Sequence, residues 1–199
     1  MDEQSLISAA QKGDLTAFNL LVEAYQSLLY NTACRVLFDG DAAADATQDA
    51  FLSAYRALGR FRGGSFRAWL LRIVKNACYD QLRAKKRRPT ASLDALLVSP
   101  DGASSQLRQR SSNGPLQQVV RSDLRQAIHQ GLQTLPPDQR ITVVLVDIQG
   151  FSYQEAAEAM AVAPGTVKSR LSRGRARLRD FLLTQQELLP EKYRLTSGG

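Results

Sequence analysis

The sequence predicts an all-α protein of two small helical domains joined by a flexible linker. Through most of the 199 residues, apolar side chains recur at the i, i+3, i+4, i+7 spacing of amphipathic helices. This periodicity stops near Pro89 and resumes near Pro115, across a Ser-, Gly-, Pro- and Asn-rich stretch typical of linkers. We therefore expect a domain over 1–90, a linker over 91–115, a second domain over 116–185 and a tail over 186–199.

The first domain is predicted to contain three amphipathic helices. The first begins after Asp14, whose carboxylate suits an N-cap. The second has Asp41 as its candidate N-cap and ends near Leu58. The third places apolar residues of 70–78 on one face, and the glycines of 59–64 separate it from the second.

The second domain is predicted to be a helix-turn-helix domain. Its apolar run 141–148 has the composition of a strand, and periodicity alone does not decide between strand and helix. The prolines before the run and Gly150 after it favour a short buried helix. Ser152 and Glu155 have capping-box spacing, and Pro164 opens a second, arginine-rich helix after a three-residue turn.

Charge is strongly segregated along the chain, whose net charge is +7. Residues 1–55 carry eight acids and two bases, residues 56–88 carry eleven bases and one acid, and residues 168–179 carry six bases. Polyanions such as nucleic acids are the natural ligands of such basic stretches, and the separate acidic segment predicts a different partner. The alternative for any single run is a solvated helix face.

Several function classes are disfavoured by composition. No apolar run approaches the roughly 20 residues that span a bilayer, so we expect a cytoplasmic protein without direct membrane insertion. Cys34 and Cys78 stand singly in apolar stretches, which predicts buried thiols rather than a disulfide or a metal site. With His129 as its one histidine and no Gly-rich phosphate loop, the chain is not expected to be an enzyme or to take a cofactor or small-molecule substrate.

The arginine-rich helix has the pattern of a DNA-reading element. Helical spacing places Lys168, Ser169, Ser172, Arg173 and Ala176 on one exposed stripe that fits a major groove. Other positions, Val167, Leu171 and Leu178, share a face that anchors the helix to its domain. The alternative is a charged surface helix of an ordinary bundle.

Three segments in order resemble the sigma-70 family of initiation factors, in its compact extracytoplasmic-function (ECF) group, and the likeness spans residues 6–183. Residues 150–157 with 164–175 are similar to the family's promoter-reading helix-turn-helix. Residues 45–51 with 54–58 are similar to its polymerase-docking helix, and 61–70 with 72–77 to its strand-opening element. Departures are a short 63–65 loop, a linker with few acids, and Ala163, which lacks a capping oxygen before the last helix.

The resemblance implies partners and site residues. The partners are core RNA polymerase, promoter DNA as −35 duplex and single-stranded −10 element, and an anti-sigma factor. The resemblance assigns polymerase docking to Asp45, Gln48 and Asp49. Contacts with −10 DNA fall to Arg62, Ser65, Phe66, Trp69, Arg72, Lys75, Asn76, Arg83, Lys86 and Arg87. Contacts with −35 DNA fall to Lys168, Ser169, Ser172 and Arg173 facing bases, and to Thr166, Arg170, Arg175 and Arg177 facing phosphates.

Within the −10 set, stacking or a pocket wall is expected from Phe66, Trp69 and Arg62, although a lone tryptophan between leucines is also a common core residue. A flipped base is expected near Ser65.

Two alternative functions stay open: a stand-alone helix-turn-helix regulator that binds duplex DNA as a dimer, and an enzyme that acts on nucleic acid. The first leaves the acidic helix unexplained, and the second lacks a carboxylate cluster near the basic surface.

Overall fold

A computed structural model describes residues 2–87 and 115–185, and within these ranges the regular structure is entirely helical. The first domain contains α1 (Glu3–Gln11), α2 (Leu15–Leu37), α3 (Gly40–Ala57), a 3₁₀ turn (Leu58–Arg60) and α4 (Phe66–Arg87). The second contains α5 (Pro115–Thr134), α6 (Pro137–Val143), a π-helical turn (Val144–Ile148), α7 (Tyr153–Met160) and α8 (Pro164–Thr184). The all-α prediction is therefore confirmed, while the expected linker and tail lie almost wholly outside the described residues.

Two carboxylates set the starts of α2 and α3. Asp14 caps α2 as predicted, accepting from the backbone N–H groups of Thr16 and Ala17 at 2.9 and 3.1 Å. The prediction that Asp41 caps α3 is wrong. Phe38 ends α2 in the left-handed conformation (φ 56°), so that the next residue, Asp39, is extended and caps α3 instead.

The ambiguous run 141–148 is helical, as the flanking prolines and Gly150 indicated. The capping box is confirmed: the Ser152 side chain accepts from the Glu155 N–H, and the Glu155 carboxylate accepts from the Ser152 N–H. At the start of α8, Ala163 supplies no side-chain cap, as expected from its methyl group. No helix in the described parts of the chain is both long and apolar enough to cross a membrane.

The two domains share a continuous hydrophobic core. Leu29, Val36 and Val74 of the first domain belong to the same buried cluster as Ile141 and Val167 of the second. Contacts run mainly between α4 and α7 and between α2 and α6. In this structure the domains are therefore packed against each other, an arrangement that the helical periodicity of each domain did not predict.

Candidate nucleic-acid interface

Helix α8 presents its basic side to solvent and its apolar side to the domain core. Val167 and Leu171 are 0% and 2% exposed, which confirms the predicted anchoring face. Gly174 lies where α8 crosses α6, because a Cβ there would come within 2.8 Å of Val143 Cγ2. This close approach fixes the helix against the body of the domain.

The side chains predicted to face −35 bases lie along the outer side of α8. Lys168, Ser172 and Arg173 are exposed, whereas Ser169 is partly buried. Ser169 Oγ donates to the Thr166 carbonyl at 3.0 Å, and Arg173 Nε donates to the Ser169 carbonyl at 3.2 Å. Ser169 thus accepts from the Arg173 guanidinium through its carbonyl and its hydroxyl. Lys168 and Ser172 lie beside Arg173 on the open surface.

Two of the arginines predicted to contact phosphates are held by carboxylates. Arg170 Nη2 lies 2.6 Å from an oxygen of Asp138, and Arg175 forms a two-point pair with Asp147, in which its Nε donates at 3.0 Å. Asp147 accordingly raises the pKa of the Arg175 guanidinium. Arg177 is exposed. In this structure, both of these guanidiniums therefore already have an anionic partner within the second domain.

Most of the basic side chains predicted for −10 DNA project from α4 and the segment before it. The exposed members of the predicted −10 set are the neutral amide Asn76 and the bases Arg62, Arg72, Arg83, Lys86 and Arg87. Ser65 is partly buried and caps α4, because its hydroxyl accepts from the Ala68 N–H at 3.1 Å. The exposed bases therefore form a continuous surface along the helix that continues from the short 63–65 loop.

Aromatic side chains lie together at the start of α4. Trp69 is partly buried, with its ring centroid 5.4 Å from Phe66 and 5.3 Å from Phe61. Phe66 itself is 1% exposed, so in this structure it is a core residue. It does not offer the open surface that stacking on a base, one of its two expected roles, would need. The reason is its apolar ring, which fills the space between Trp69 and Tyr25.

Lys75 also departs from an exposed DNA-binding position. It is 8% exposed, and its ammonium donates to the Met160 carbonyl at the end of α7. Burial, and secondarily the nearby Arg72, lower the pKa of this ammonium. In the packed arrangement of the domains, Lys75 is therefore covered by the helix-turn-helix domain.

The residues predicted to dock polymerase form an acidic patch, which we define as Asp45, Gln48, Asp49 and Leu52 on the outer side of α3. All four are exposed, and small residues of the same helix, including Ala46 and Ala50, are buried beneath them. Leu52, at 48% exposed, is an apolar member that the sequence reasoning missed. Its i+3 spacing from Asp49 was the signal that could have identified it.

Sequence reasoning also missed a set of residues between the domains. Arg67 of α4 lies over the Phe151 ring at 3.6 Å, and Tyr79 of the same helix donates to Asp138 at 2.6 Å. Arg140 of α6 donates to the Val36 carbonyl of α2 at 2.7 Å. These partners lie 59 or more residues apart along the chain, so no local pattern identifies them.

Neither cysteine has the surroundings of a reactive thiol. Cys78 is buried, and desolvation raises its pKa to about 12, while burial also raises the pKa of the half-buried Cys34. Among the described residues, no three His, Cys, Asp or Glu side chains are grouped as a metal ion would require. The predicted burial is confirmed for Cys78, whereas Cys34 is only partly buried.

A basic helix-turn-helix, a basic helix that begins among aromatic residues, and a separate acidic patch define a helical DNA-binding protein with a further protein partner. Comparison with known proteins supplies the family. Residues 21–88 match the family described as Sigma-70 region 2, and residues 125–178 match Sigma-70, region 4. The chain belongs to the sigma-70 family and to its ECF group.

Relatives cover nearly the whole chain. It is 37% identical over 174 residues to the RNA polymerase sigma-H factor of Pseudomonas aeruginosa, covering 87% of this chain and 90% of the relative. It is 38% identical over 177 residues to the ECF RNA polymerase sigma-E factor of Escherichia coli K12, covering 88% and 91%. The match to both regions and to full-length relatives excludes a resemblance confined to the helix-turn-helix.

Solved structures share the fold. CnrH, in a complex with the cytosolic domain of CnrY, superposes with a TM-score of 0.65 at 26% identity, covering 90% of this chain and 96% of that one. The sigma factor RpoE of Bartonella quintana, in a complex with the anti-sigma factor NepR, superposes with a TM-score of 0.62 at 29% identity, covering 83% and 96%.

Proposed function

We propose that this sigma factor docks on core RNA polymerase through the acidic patch, reads the −35 duplex with α8 and captures the opened −10 strand with α4. As a sigma factor it directs polymerase to specific promoters and is not itself an enzyme. The observation that carries the residue assignment is that each matched region has its own exposed basic helix, while the acidic patch lies apart on α3. One chain thus has a separate surface for each step.

At the −35 element, Lys168, Ser172 and Arg173 are placed to face bases. A helix of this kind enters the major groove with side chains of one stripe on base edges, and arginine pairs well with guanine there. The N-terminus of α8 brings the backbone N–H of Gly165 towards a phosphate, while the Thr166 N–H donates to the Ala163 carbonyl at 2.9 Å. Arg177 contacts the backbone, joined by Arg170 and Arg175 once they leave their carboxylates.

At the −10 element, Trp69 and Asn76 serve different tasks. Trp69 supplies an aromatic face to an unstacked base, supported from behind by Phe66, and Asn76 reads a base edge. Ser65 lies in the loop expected to receive a flipped base. Arg62 contributes to the wall of the base pocket. Arg72, Arg83, Lys86 and Arg87 hold the phosphates, and Lys75 joins them when the second domain moves away. Trapping unstacked bases supplies the energy for strand opening.

An anti-sigma factor is the expected regulatory partner. Its support is that both of the solved relatives described above were solved in a complex with a second chain, which is named as an anti-sigma factor in the Bartonella complex. Because a sigma factor acts on polymerase and promoter DNA, we expect the protein in the cytoplasm.

A polymerase-binding experiment tests the assignment. Purified full-length chain is mixed with core RNA polymerase and a pool of forked duplexes whose −35 and single-stranded −10 positions are randomised. We expect tight binding to core, and retention of selected forks only by the ternary complex. A stable dimer on duplex DNA with no affinity for core would overturn the proposal in favour of a stand-alone regulator.

Replacing two different arginines of α8 by alanine is expected to change DNA binding in different ways. Arg173→Ala removes a base contact, so preference should relax at one or two −35 positions, at a cost of about 1–3 kcal/mol on the preferred sequence. Arg177→Ala should weaken binding uniformly and reduce the salt slope by about 1. Sequencing of retained forks and a salt titration separate the two effects, and a uniform loss for Arg173→Ala would assign that residue to phosphate.

A further inference from the structure

Helix α1 lies against the segment that leads from α3 into the 63–65 loop. This helix precedes residues 21–88, the range that matches Sigma-70 region 2. Its apolar residues Ile7 and Ala10 are 2% and 5% exposed and belong to the hydrophobic core. Helix α1 also contacts the 3₁₀ turn Leu58–Arg60 directly. The end of α1 is therefore fixed beside the place where α3 ends.

The Gln11 side chain, at the end of α1, joins the two ends of that turn. Its amide nitrogen donates to the Leu58 carbonyl at 3.0 Å and to the Phe61 carbonyl at 2.9 Å. A side-chain amide carries two N–H groups, so one glutamine can make both bonds. The Phe61 N–H also donates to the Leu58 carbonyl, at 3.0 Å. The backbone from 58 to 61 is thus held by a bond of its own and by a side chain that is distant along the chain.

Phe61 connects this anchored backbone to the site assigned to −10 bases. Its ring is 6% exposed, and its centroid lies 5.3 Å from those of both Phe66 and Trp69. The chain then passes through Gly63 and Gly64, whose φ angles of 99° and 88° lie in the left-handed region that glycine adopts freely. Because glycine restrains a loop little, the position of this loop depends on how the residues before and after it are held.

The start of α1 supports the same aromatic group. The Tyr25 hydroxyl donates to the Glu3 carboxylate, and the Tyr25 ring centroid lies 5.7 Å from that of Phe66. Both ends of α1 thus bind residues that pack around Trp69 or around its neighbour Phe66. All of these contacts lie within the first domain.

We propose that Gln11 is a positioning residue for −10 recognition. Its amide holds the backbone at Phe61, so that Trp69 and the 63–65 loop are already placed for an unstacked base before DNA binds. This inference rests on the −10 role proposed above and adds to it a residue that acts through Phe61 and not by contact with DNA. Such preorganisation strengthens binding, because the entropy of ordering the site is lost on folding and not on binding.

Acrylamide quenching of Trp69, the one tryptophan of the chain, tests the anchoring without polymerase or DNA. Gln11→Met keeps the length and helix propensity of the side chain but removes both N–H donors. We expect the quenching constant to rise about twofold, since a freer Phe61 uncovers the indole against which it packs. Gln4→Met is the matched control, because Gln4 is an exposed glutamine of the same helix, and it should leave the quenching unchanged. An unchanged quenching constant for Gln11→Met would overturn the proposal.

Forked DNA with abasic sites tests the consequence for base capture. A fork that is retained by the wild-type chain on core polymerase is prepared intact and with one abasic site at each single-stranded −10 position in turn. We expect Gln11→Met to lower the affinity for the intact fork about fivefold, the effect of losing roughly one hydrogen bond. For the fork that lacks the captured base, the loss should be less than about twofold. The same loss on every fork would indicate a merely destabilised chain and would overturn the proposal.

Failure of the proposed function gives a different result from failure of the positioning role. If the −10 assignment itself is wrong, the wild-type complex retains no fork, or binds intact and abasic forks equally, while the quenching of the free chain is unaffected. If only the positioning role is wrong, the wild-type complex prefers intact forks and Gln11→Met prefers them by the same factor. That second result would overturn the proposal and leave the −10 assignment standing.

Discussion

Replacing Arg140 by alanine is expected to lower the free energy of unfolding by about 3–5 kcal/mol. The guanidinium is buried and donates to the carbonyls of Leu132, Gln133 and Leu135, at 3.0 Å each, and to that of Val36 at 2.7 Å. Alanine would leave all four oxygens without this donor. The Leu132 oxygen would keep the Leu135 N–H at 3.2 Å, whereas each of the others that is left buried and unsatisfied costs on the order of 1–3 kcal/mol before relaxation.

The position of these carbonyls explains why one side chain matters so much. Leu132, Gln133 and Leu135 lie where α5 ends and the chain turns into α6, so their oxygens have no partner in a continuing helix. The fourth carbonyl, that of Val36, belongs to the last turn of α2 in the other domain. Arg140 therefore completes two helix ends at once and also lies 4.6 Å from the Phe38 ring.

Urea denaturation of the full chain, followed by far-UV circular dichroism and by the fluorescence of Trp69, measures the effect. The shared core predicts that both signals change together. Arg125→Ala is the control, because Arg125 is an exposed arginine of α5. Arg140→Lys should fall between the two, since an ammonium keeps the charge but not the planar fork of donors. A loss below about 1 kcal/mol for Arg140→Ala would contradict this account.

Local signals were enough to predict α2, α3 and α4 of the first domain and the helix-turn-helix of the second, but α1 was not predicted. The Asp14 cap, the capping box of Ser152 and Glu155, and the Pro164 start of α8 each depend on residues within four positions of one another. The exception is instructive: Asp39 and Asp41 both suit an N-cap, and the choice between them depends on the left-handed turn at Phe38. A left-handed conformation is uncommon for phenylalanine, so the sequence pattern did not indicate this turn.

Site residues were predictable by type and spacing but not by exposure. The stripe on α8 and the acidic residues of α3 project as helical geometry requires. Lys75 and Phe66 occupy positions that spacing alone placed with the DNA-binding set, yet each is covered by a neighbour distant along the chain, Met160 for Lys75 and Tyr25 for Phe66. Arg140, Tyr79 and Asp138 were missed for the same reason.

Reversing the charge of Asp49 is expected to weaken binding to core RNA polymerase by about tenfold or more, roughly 1.4 kcal/mol. Asp49→Lys replaces an exposed carboxylate by an ammonium in the middle of the acidic patch, so a basic partner surface is repelled where it was attracted. Since the Asp49 side chain is exposed, whereas Ala46 and Ala50 of the same helix are buried, the fold should be unaffected. Competition binding against labelled wild-type chain measures the change.

A control variant shows whether the loss of affinity depends on the position of the reversed charge or only on the change of net charge. Glu23→Lys makes the same change of charge at an exposed acid of α2, outside the patch, and should leave the affinity for core within about twofold. If both variants lose affinity equally, general repulsion and not the acidic patch explains the loss.

A third variant, Leu52→Ser, distinguishes the apolar part of the acidic patch from its charged part. Because serine removes only apolar surface, this variant should lower the affinity and leave its salt dependence unchanged, whereas Asp49→Lys should also reduce the salt dependence.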